Sequence, residues 1–195
     1  MPIASPILPS TSTIDRIKGL LNPRGLWSYL KSASVLLYSQ VAASTAITGA
    51  TETATAFDKY YTVKANAPEA GSVIRGRMWG KHTATTGSET HTLALKLGSV
   101  TIFETGNLNP ADNDYWEIDF EIVYRTVGAS GTFVARATCS YGASGAAGTV
   151  ERYFKDSTAV DTTADSILAI YIDRQGTATD SDSVRQDSNV TMSMS

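Results

Sequence analysis

A single stretch of alternating residues constrains the fold more than any other feature of this sequence. From Tyr115 to Arg125 the chain reads Tyr-Trp-Glu-Ile-Asp-Phe-Glu-Ile-Val-Tyr-Arg, so that apolar and charged side chains alternate. Successive side chains of a β-strand point to opposite faces of a sheet, whereas a helix would scatter this pattern around its surface. The segment therefore predicts a long strand with one buried face and one solvated face.

The next run of the sequence repeats the pattern. One side of this run carries Phe133, Ala135, Ala137 and Cys139, and the other side carries Thr132, Val134, Arg136 and Thr138. The turn-forming segment Gly-Ala-Ser-Gly at 128–131 separates the two runs. Two alternating runs joined by a short glycine-containing loop are typical of a β-hairpin. We therefore predict that 115–126 and 131–141 pair as antiparallel strands.

The same period of two recurs along most of the chain from Ser34 onward, and turn-forming clusters separate the runs. Charged residues make up only 18% of the sequence, below the roughly 25% of an average soluble domain. The separators contain no pattern of a helical crossover. These features predict an all-β protein, an antiparallel jelly-roll β-sandwich of about eight to nine strands over 34–195. The strand runs are 35–41, 57–65, 73–82, 90–97, 100–104, 115–126, 131–141, 149–155 and 167–174, with a last one at 190–194.

The segment before Ser34, 1–33, has a different character. Pro2, Pro6 and Pro9 favour an extended arm, and the residues after Thr13 have the apolar spacing of a short amphipathic helix that ends at Pro23. A helix this short is marginal in water unless its apolar side packs against something. We predict that 1–33 forms an arm with a short helix, which packs either on its own sandwich or on a neighbouring subunit.

Charge and cysteine content exclude several classes of protein. The formal net charge is -3, which disfavours a chain-wide electrostatic contact with nucleic acid. Cys139 is the single cysteine, so no intrachain disulfide can form. No apolar run is long enough for a membrane span and the start lacks the features of a secretory signal, so we expect no membrane partner. We also expect no cofactor.

Three groups of residues could carry chemistry. Glu117, Asp119 and Glu121 form a row on one strand face with the spacing of a glycosidase acid pair, but any solvated strand face offers such a row. A solvated face, or a contact between subunits that is answered by Arg75, Arg77, Arg125 or Arg136, is the simpler interpretation. His82 and His91 flank a polar tip, and in a hairpin they would be cross-strand neighbours able to share a metal, or ordinary exposed residues. The acidic loops at 112–114, 161–165 and 180–182 could bind calcium or simply form turns.

Other catalytic motifs are missing from the sequence. There is no Gly-x-Ser-x-Gly motif, and Cys139 falls in the apolar alternation of a strand, where a small buried residue is expected. The glycine-rich segment 142–148 connects strand runs and precedes no helix, so it is not a phosphate-binding loop. We therefore expect a protein that is not an enzyme and has no metal site.

Several segments from residue 35 to the C-terminus form a pattern that is found in other proteins. They are Leu36-Leu-Tyr-Ser-Gln-Val-Ala, Ile74-Arg-Gly-Arg-Met-Trp-Gly, the run from Thr92 to Phe103, Tyr115-Trp-Glu-Ile-Asp-Phe-Glu-Ile, Asp156-Ser-Thr, and Ser166-Ile-Leu-Ala-Ile-Tyr-Ile172. In this pattern the chain resembles a loose family of jelly-roll structural proteins of tailed bacteriophages. The resemblance covers about four-fifths of the sequence.

The resemblance implies a capsid decoration or cement protein, usually trimeric, or a part of a tail or fibre. We expect a virion protein on the capsid exterior, assembled in the host cytoplasm, that binds the major capsid protein through its N-terminal segment. The residues expected to make that contact are Ile3, Ile7, Leu8, Ile14, Ile17, Leu20, Leu21, Leu26 and Trp27.

Two alternatives remain open at this point. The first is a tail or fibre component in which Tyr60, Tyr61, Trp79 or Tyr141 stacks on host-surface carbohydrate. The second is a glycan-cleaving enzyme that uses the acidic row of 117–121.

Overall fold

The computed structural model describes residues 34–40, 42–47, 53–83, 90–108, 114–143, 148–175 and 183–193. This part of the chain contains eleven strands and no helix. The strands are β1 (Ser34–Ser39), β2 (Thr55–Ala56), β3 (Tyr61–Val63), β4 (Val73–Thr83), β5 (Thr90–Leu97), β6 (Val100–Glu104), β7 (Tyr115–Thr126), β8 (Gly131–Gly142), β9 (Thr149–Val160), β10 (Ser166–Gln175) and β11 (Ser183–Ser193).

The strands form two antiparallel sheets that pack face to face. The first sheet has six strands in the order β1-β11-β4-β7-β8-β9, and the second has the order β2-β10-β5-β6, with β3 also paired to β10. The chain crosses from one sheet to the other after β1, β3, β4, β6, β9 and β10. The first and last strands are neighbours, and so are the second and the second-to-last, which is the wrapping of a jelly roll. The predicted jelly-roll β-sandwich is therefore confirmed, but the described residues form eleven strands and not the expected eight to nine.

The hairpin of β8 and β9 is an addition to that plan. Removing it leaves four strands in the first sheet, β1-β11-β4-β7, opposite the second sheet. The two extra strands extend the first sheet beyond β7, and β9 becomes its edge. The first sheet is therefore wider than the second and has a broad outer face.

The strongest sequence prediction, the pairing of β7 with β8, is confirmed. The register runs from Tyr115 opposite Gly142 to Thr126 opposite Thr132. The turn between the strands closes tightly at Gly131, where a Cβ atom would lie 2.9 Å from the carbonyl oxygen of Thr126. A side chain at residue 131 would collide with backbone atoms, so only glycine allows these segments of the chain to approach each other so closely.

The core lies between the sheets and follows the alternation read from the sequence. The inward side chains of β7 are all buried, namely Trp116, Ile118, Phe120, Ile122 and Tyr124. From the second sheet β5 and β10 contribute a matching layer of Leu93, Leu95, Leu97, Leu168, Ile170 and Ile172. Trp116 stacks on Phe57 with 5.9 Å between ring centroids. Burial of these side chains stabilises the sandwich by roughly 1.5–3 kcal/mol each.

Some strand boundaries differ from those predicted. Within the predicted run 57–65 only Tyr61–Val63 forms a strand, β3, and the short β2 lies just before the run, at Thr55–Ala56. Phe57 is buried, and its amide donates to the carbonyl oxygen of Ile170. The strand expected at 149–155 continues to Val160 beyond a register shift. The strand expected at 190–194 begins at Ser183, because β4 offers it a partner over its whole length.

The predicted arm and helix, over 1–33, lie outside the described residues. In the described part of the chain no helix could cross a membrane.

Candidate interaction surface

The outer face of the first sheet carries a ladder of opposite charges, here called the charged face. It consists of outward side chains on three adjacent strands: Arg75, Arg77 and Trp79 on β4, Glu117, Asp119 and Glu121 on β7, and Arg136 and Thr138 on β8. Each acidic residue of β7 stands directly opposite a β4 residue, since Arg75 pairs with Glu121 and Arg77 with Asp119 in the register. The alternation that buries the apolar half of β7 thus aligns its carboxylates beside arginines.

The charges of this face are paired within the chain. Arg75 Nε lies 2.6 Å from Glu121 Oε2, and Arg136 Nη2 lies 3.5 Å from the same oxygen. Arg77 Nε lies 2.9 Å from Asp119 Oδ1 and 3.1 Å from Glu117 Oε1. A hydrogen bond to Asp119, followed by the charges of Asp119 and Glu117, raises the pKa of Arg77. The pairs are open to solvent, so each contributes well under about 1 kcal/mol to stability.

A shallow open depression of about 620 Å³ lies on the charged face. Its walls include the side chains of Arg75, Arg77, Trp79, Asp119, Glu121 and Arg136. Trp79 is 39% exposed, which is unusual for a tryptophan in the middle of a strand. The depression thus places an aromatic ring beside guanidinium and carboxylate groups.

Exposed apolar side chains border the charged face at one end and along one edge. Tyr115 lies at the start of β7, with the ammonium of Lys81 6.0 Å from its ring centroid. Along the edge beyond β8, β9 exposes Val150 and Phe154, and Phe154 is 74% exposed. Aromatic residues and arginine are enriched in the contact surfaces of proteins. The composition of this sheet face is therefore typical of an interaction surface.

The residues expected to contact the capsid, from Ile3 to Trp27, lie outside the described residues. The four aromatic residues considered for carbohydrate are described, and they differ in availability. Trp79 and Tyr60 are exposed. Tyr61 packs against Tyr38 with 6.3 Å between ring centroids, and the hydroxyl of Tyr141 donates to Glu151. The structure therefore leaves Trp79, inside the depression, as the best placed of the four.

His82 and His91 are neighbours, as predicted, but the expected hairpin between them is wrong. β4 and β5 belong to different sheets, so the two rings meet across the sandwich. Their centroids are 4.9 Å apart and the Nδ1 atoms are 3.2 Å apart. Both side chains are buried, His82 being 2% exposed, so the interpretation as exposed loop residues is also wrong.

A buried arginine completes this histidine cluster and was missed from the sequence. Arg174 lies opposite His91 in the pairing of β10 with β5, and it is 2% exposed. Burial, then the charges of His91 and Arg174, lowers the pKa of His82 to about 3. Burial and Arg174 lower the pKa of His91 to about 4. The signal for Arg174 was its inward position in the alternation of 168–174, where an apolar residue is usual.

The described residues offer little to a metal ion. They contain no group of three or more His, Cys, Asp or Glu side chains placed to hold one. Two imidazoles leave a tetrahedral site incomplete, and the guanidinium of Arg174 repels a cation beside them.

Of the described acidic side chains of 161–165, Asp161 stabilises its own turn, and Asp165 joins its loop to the segment that follows β3. Asp161 accepts hydrogen bonds from the amide and hydroxyl of Thr163, at 2.8 and 2.6 Å. Asp165 accepts from the amide of Ala65 at 2.8 Å and from Lys64 Nζ at 2.7 Å. Residues 112, 113 and 180–182, from the other two loops, lie outside the part that the structure describes.

Cys139 is buried in the inner face of β8, as the alternation predicts. Burial, and then the charge of Glu151, raises the pKa of its thiol to about 12. A thiol held in this state is not a nucleophile at neutral pH.

No protein-family model matches the sequence, and no curated protein matches it.

Proposed function

We propose that this protein is a non-enzymatic structural subunit of a bacteriophage particle, a capsid decoration or cement protein. In this proposal it sits on the capsid exterior, after assembly in the host cytoplasm, and its N-terminal segment 1–33 binds major capsid proteins. We propose that the protein forms trimers, and the charged face is available for contacts between their subunits. Support comes from the jelly-roll wrapping together with the resemblance noted in the sequence.

The observation that carries the proposal is the outer face of the widened six-stranded sheet. The extra hairpin of β8 and β9 enlarges a sheet face whose charges are already paired and whose borders expose aromatic rings. Because the carboxylates of β7 contact arginines on an open surface, the row is better suited to a protein contact than to acid catalysis, which requires a desolvated carboxyl group.

Two physical factors support attachment through the N-terminal segment: the surface area that it can bury and the number of such segments in a trimer. An apolar extended segment can bury surface across several capsid subunits, and a trimer presents three such segments. Weak contacts made three at a time dissociate slowly, because all three must be lost together.

Co-sedimentation with emptied capsids tests this proposal. We expect the full chain to pellet with capsids and a chain lacking segment 1–33 to remain in the supernatant with an unchanged circular dichroism spectrum. A full-length variant with Ile14, Ile17, Leu20 and Leu21 replaced by serine is expected to lose binding as well. A matched full-length variant with Val127 replaced by serine, on the turn after β7, is expected to bind normally. Capsid binding that survives both changes in 1–33 contradicts the proposal.

A second candidate function is favoured by Trp79. An exposed indole beside guanidinium and carboxylate groups has the chemistry of a carbohydrate site, in which the ring stacks on a sugar face. A glycan array distinguishes the candidates: a tail or fibre component would bind glycans without binding capsids. Trp79→Ala is then expected to abolish the signal, and Tyr60→Ala, at an exposed aromatic outside the depression, to preserve it.

A further inference from the structure

Strand β9 is a long edge of the first sheet. It spans Thr149–Val160 and pairs with β8 on one side, and among the described strands none pairs with its other side. A long strand edge presents unpaired backbone amide and carbonyl groups, which form a template for another strand.

The outer side of this edge is also apolar and exposed. Phe154 is 74% exposed and Val150 is 54% exposed, and Arg152 lies between them on the same face. Leaving the apolar surface of Phe154 in water costs a free energy of about 25 cal/mol for each Å² that is exposed. An apolar edge strand of this kind favours association.

We infer that β9 is a self-pairing edge, through which two copies of this chain join their six-stranded sheets around a two-fold axis. The inference goes beyond the proposed function and does not depend on where the protein is located. A two-fold axis perpendicular to the sheet places the two β9 strands antiparallel, and opposed residues then share a face. The residue numbers of an opposed pair must therefore add up to an even number, because both side chains of the pair lie on the same face of the sheet.

Within the regular part of β9, 149–155, the charges favour one of these registers. With Tyr153 on the axis, Glu151 faces Lys155 of the second copy, and Arg152 faces Phe154 of the second copy. Within its own chain the Glu151 carboxylate also accepts hydrogen bonds from the hydroxyls of Tyr141 and Tyr153. Symmetry repeats both pairs, so the contact gains two ion pairs and two cation–π contacts. With Arg152 on the axis, two guanidinium groups would instead oppose each other.

The irregular part of β9 limits the contact to 149–155. The register against β8 shifts beyond Lys155, so that both Asp156 and Ser157 fall opposite Val134. Such a bulge bends the strand and ends regular pairing. A bulge and inward-pointing charges can also protect an edge strand from pairing. The inference is overturned if β9 is protected in this way and does not pair with a second copy.

Light scattering on the full chain during size-exclusion chromatography tests the contact. We expect a particle mass that is an even multiple of the chain mass and that is halved by Phe154→Arg. The matched control is Val127→Arg, which changes an exposed apolar residue in the turn after β7 and is expected to leave the mass unchanged. A monomer, or a mass that Phe154→Arg does not change, overturns the inference.

A charge exchange tests the register. Glu151→Lys and Lys155→Glu each convert two attractive pairs into two repulsive ones, and we expect each variant to dissociate about tenfold to thirtyfold more readily. The double variant restores opposite charges and is expected to recover the wild-type mass, which also shows that the single variants did not fail by unfolding. Failure of the double variant to recover, with its fold intact, rejects this register, and the Phe154→Arg experiment decides whether the two edges pair at all. Capsid binding is measured separately, so a negative result here leaves the proposed function standing.

Discussion

The buried histidine cluster predicts a steep loss of stability in mild acid. His82 and His91 are held neutral between the two sheets, with pKa values of about 3 and about 4 in the folded chain. In the unfolded chain both return to about 6.5. Between these limits the unfolded state binds more protons, so the free energy of unfolding falls as the pH falls below about 6.5.

The size of the effect follows from those values. At pH 5 each histidine is mostly protonated in the unfolded chain and neutral in the folded chain. This difference lowers the free energy of unfolding by about 2 kcal/mol per histidine relative to pH 8. The pair therefore removes about 4 kcal/mol, a large part of the stability of an ordinary domain. Asp58, Asp161 and Asp165 have lowered pKa values and contribute in the same direction, but their contribution is lost below their unfolded value, near pH 4.

Urea unfolding followed by tryptophan fluorescence at pH 5, 6, 7 and 8 measures this loss. The control is the double variant His82→Gln and His91→Gln, which keeps polar side chains in place but removes the titrating groups. We expect the variant to have a lower stability at pH 8 and a nearly flat profile between pH 5 and 8. If the natural chain is equally stable at pH 5 and pH 8, the histidines are not buried in neutral form and the reasoning fails.

Four further predictions concern single side chains. Phe133→Ala should lower the free energy of unfolding by about 3–5 kcal/mol in urea, because it empties a fully buried site; a loss below about 1 kcal/mol would mean that the core is not packed as described. Glu121→Gln should cost about 1 kcal/mol or less in the same assay, since its arginine partners are solvent-exposed, and a larger loss would show a role that the ion pairs do not explain. Arg174→Met should raise the pKa of His91, measured by NMR titration, because a neighbouring positive charge is removed; an unchanged titration would place the guanidinium elsewhere. Cys139 should resist a thiol reagent in the native protein and react in urea, and rapid native labelling would contradict its burial.

Much of the fold could be predicted because alternation is a local property of the chain. The buried face of β7, from Trp116 to Tyr124, and the buried Cys139 follow directly from side chains that alternate along one strand. The turn at 128–131 then specifies the hairpin, since a short loop leaves only an antiparallel neighbour.

Strand ends were harder to predict because partners at a distance decide them. The polar sequence from Ser183 to Asn189 has little strand character of its own, yet β4 pairs with it throughout. The bulge after Lys155 lets β9 continue to Val160 although the alternation is interrupted there.

The sequence by itself determined the class of fold, the inward and outward halves of each strong strand, and the row of carboxylates on the outward face of β7. Only the tertiary structure decided which sheet each strand joins. That choice brings His82 and His91 together across the sandwich, beside Arg174, and makes β9 an edge strand. The physical reason is that alternation records only which side of a strand avoids water. The choice of neighbouring strand depends on packing between segments far apart in the chain, and no local pattern contains that information.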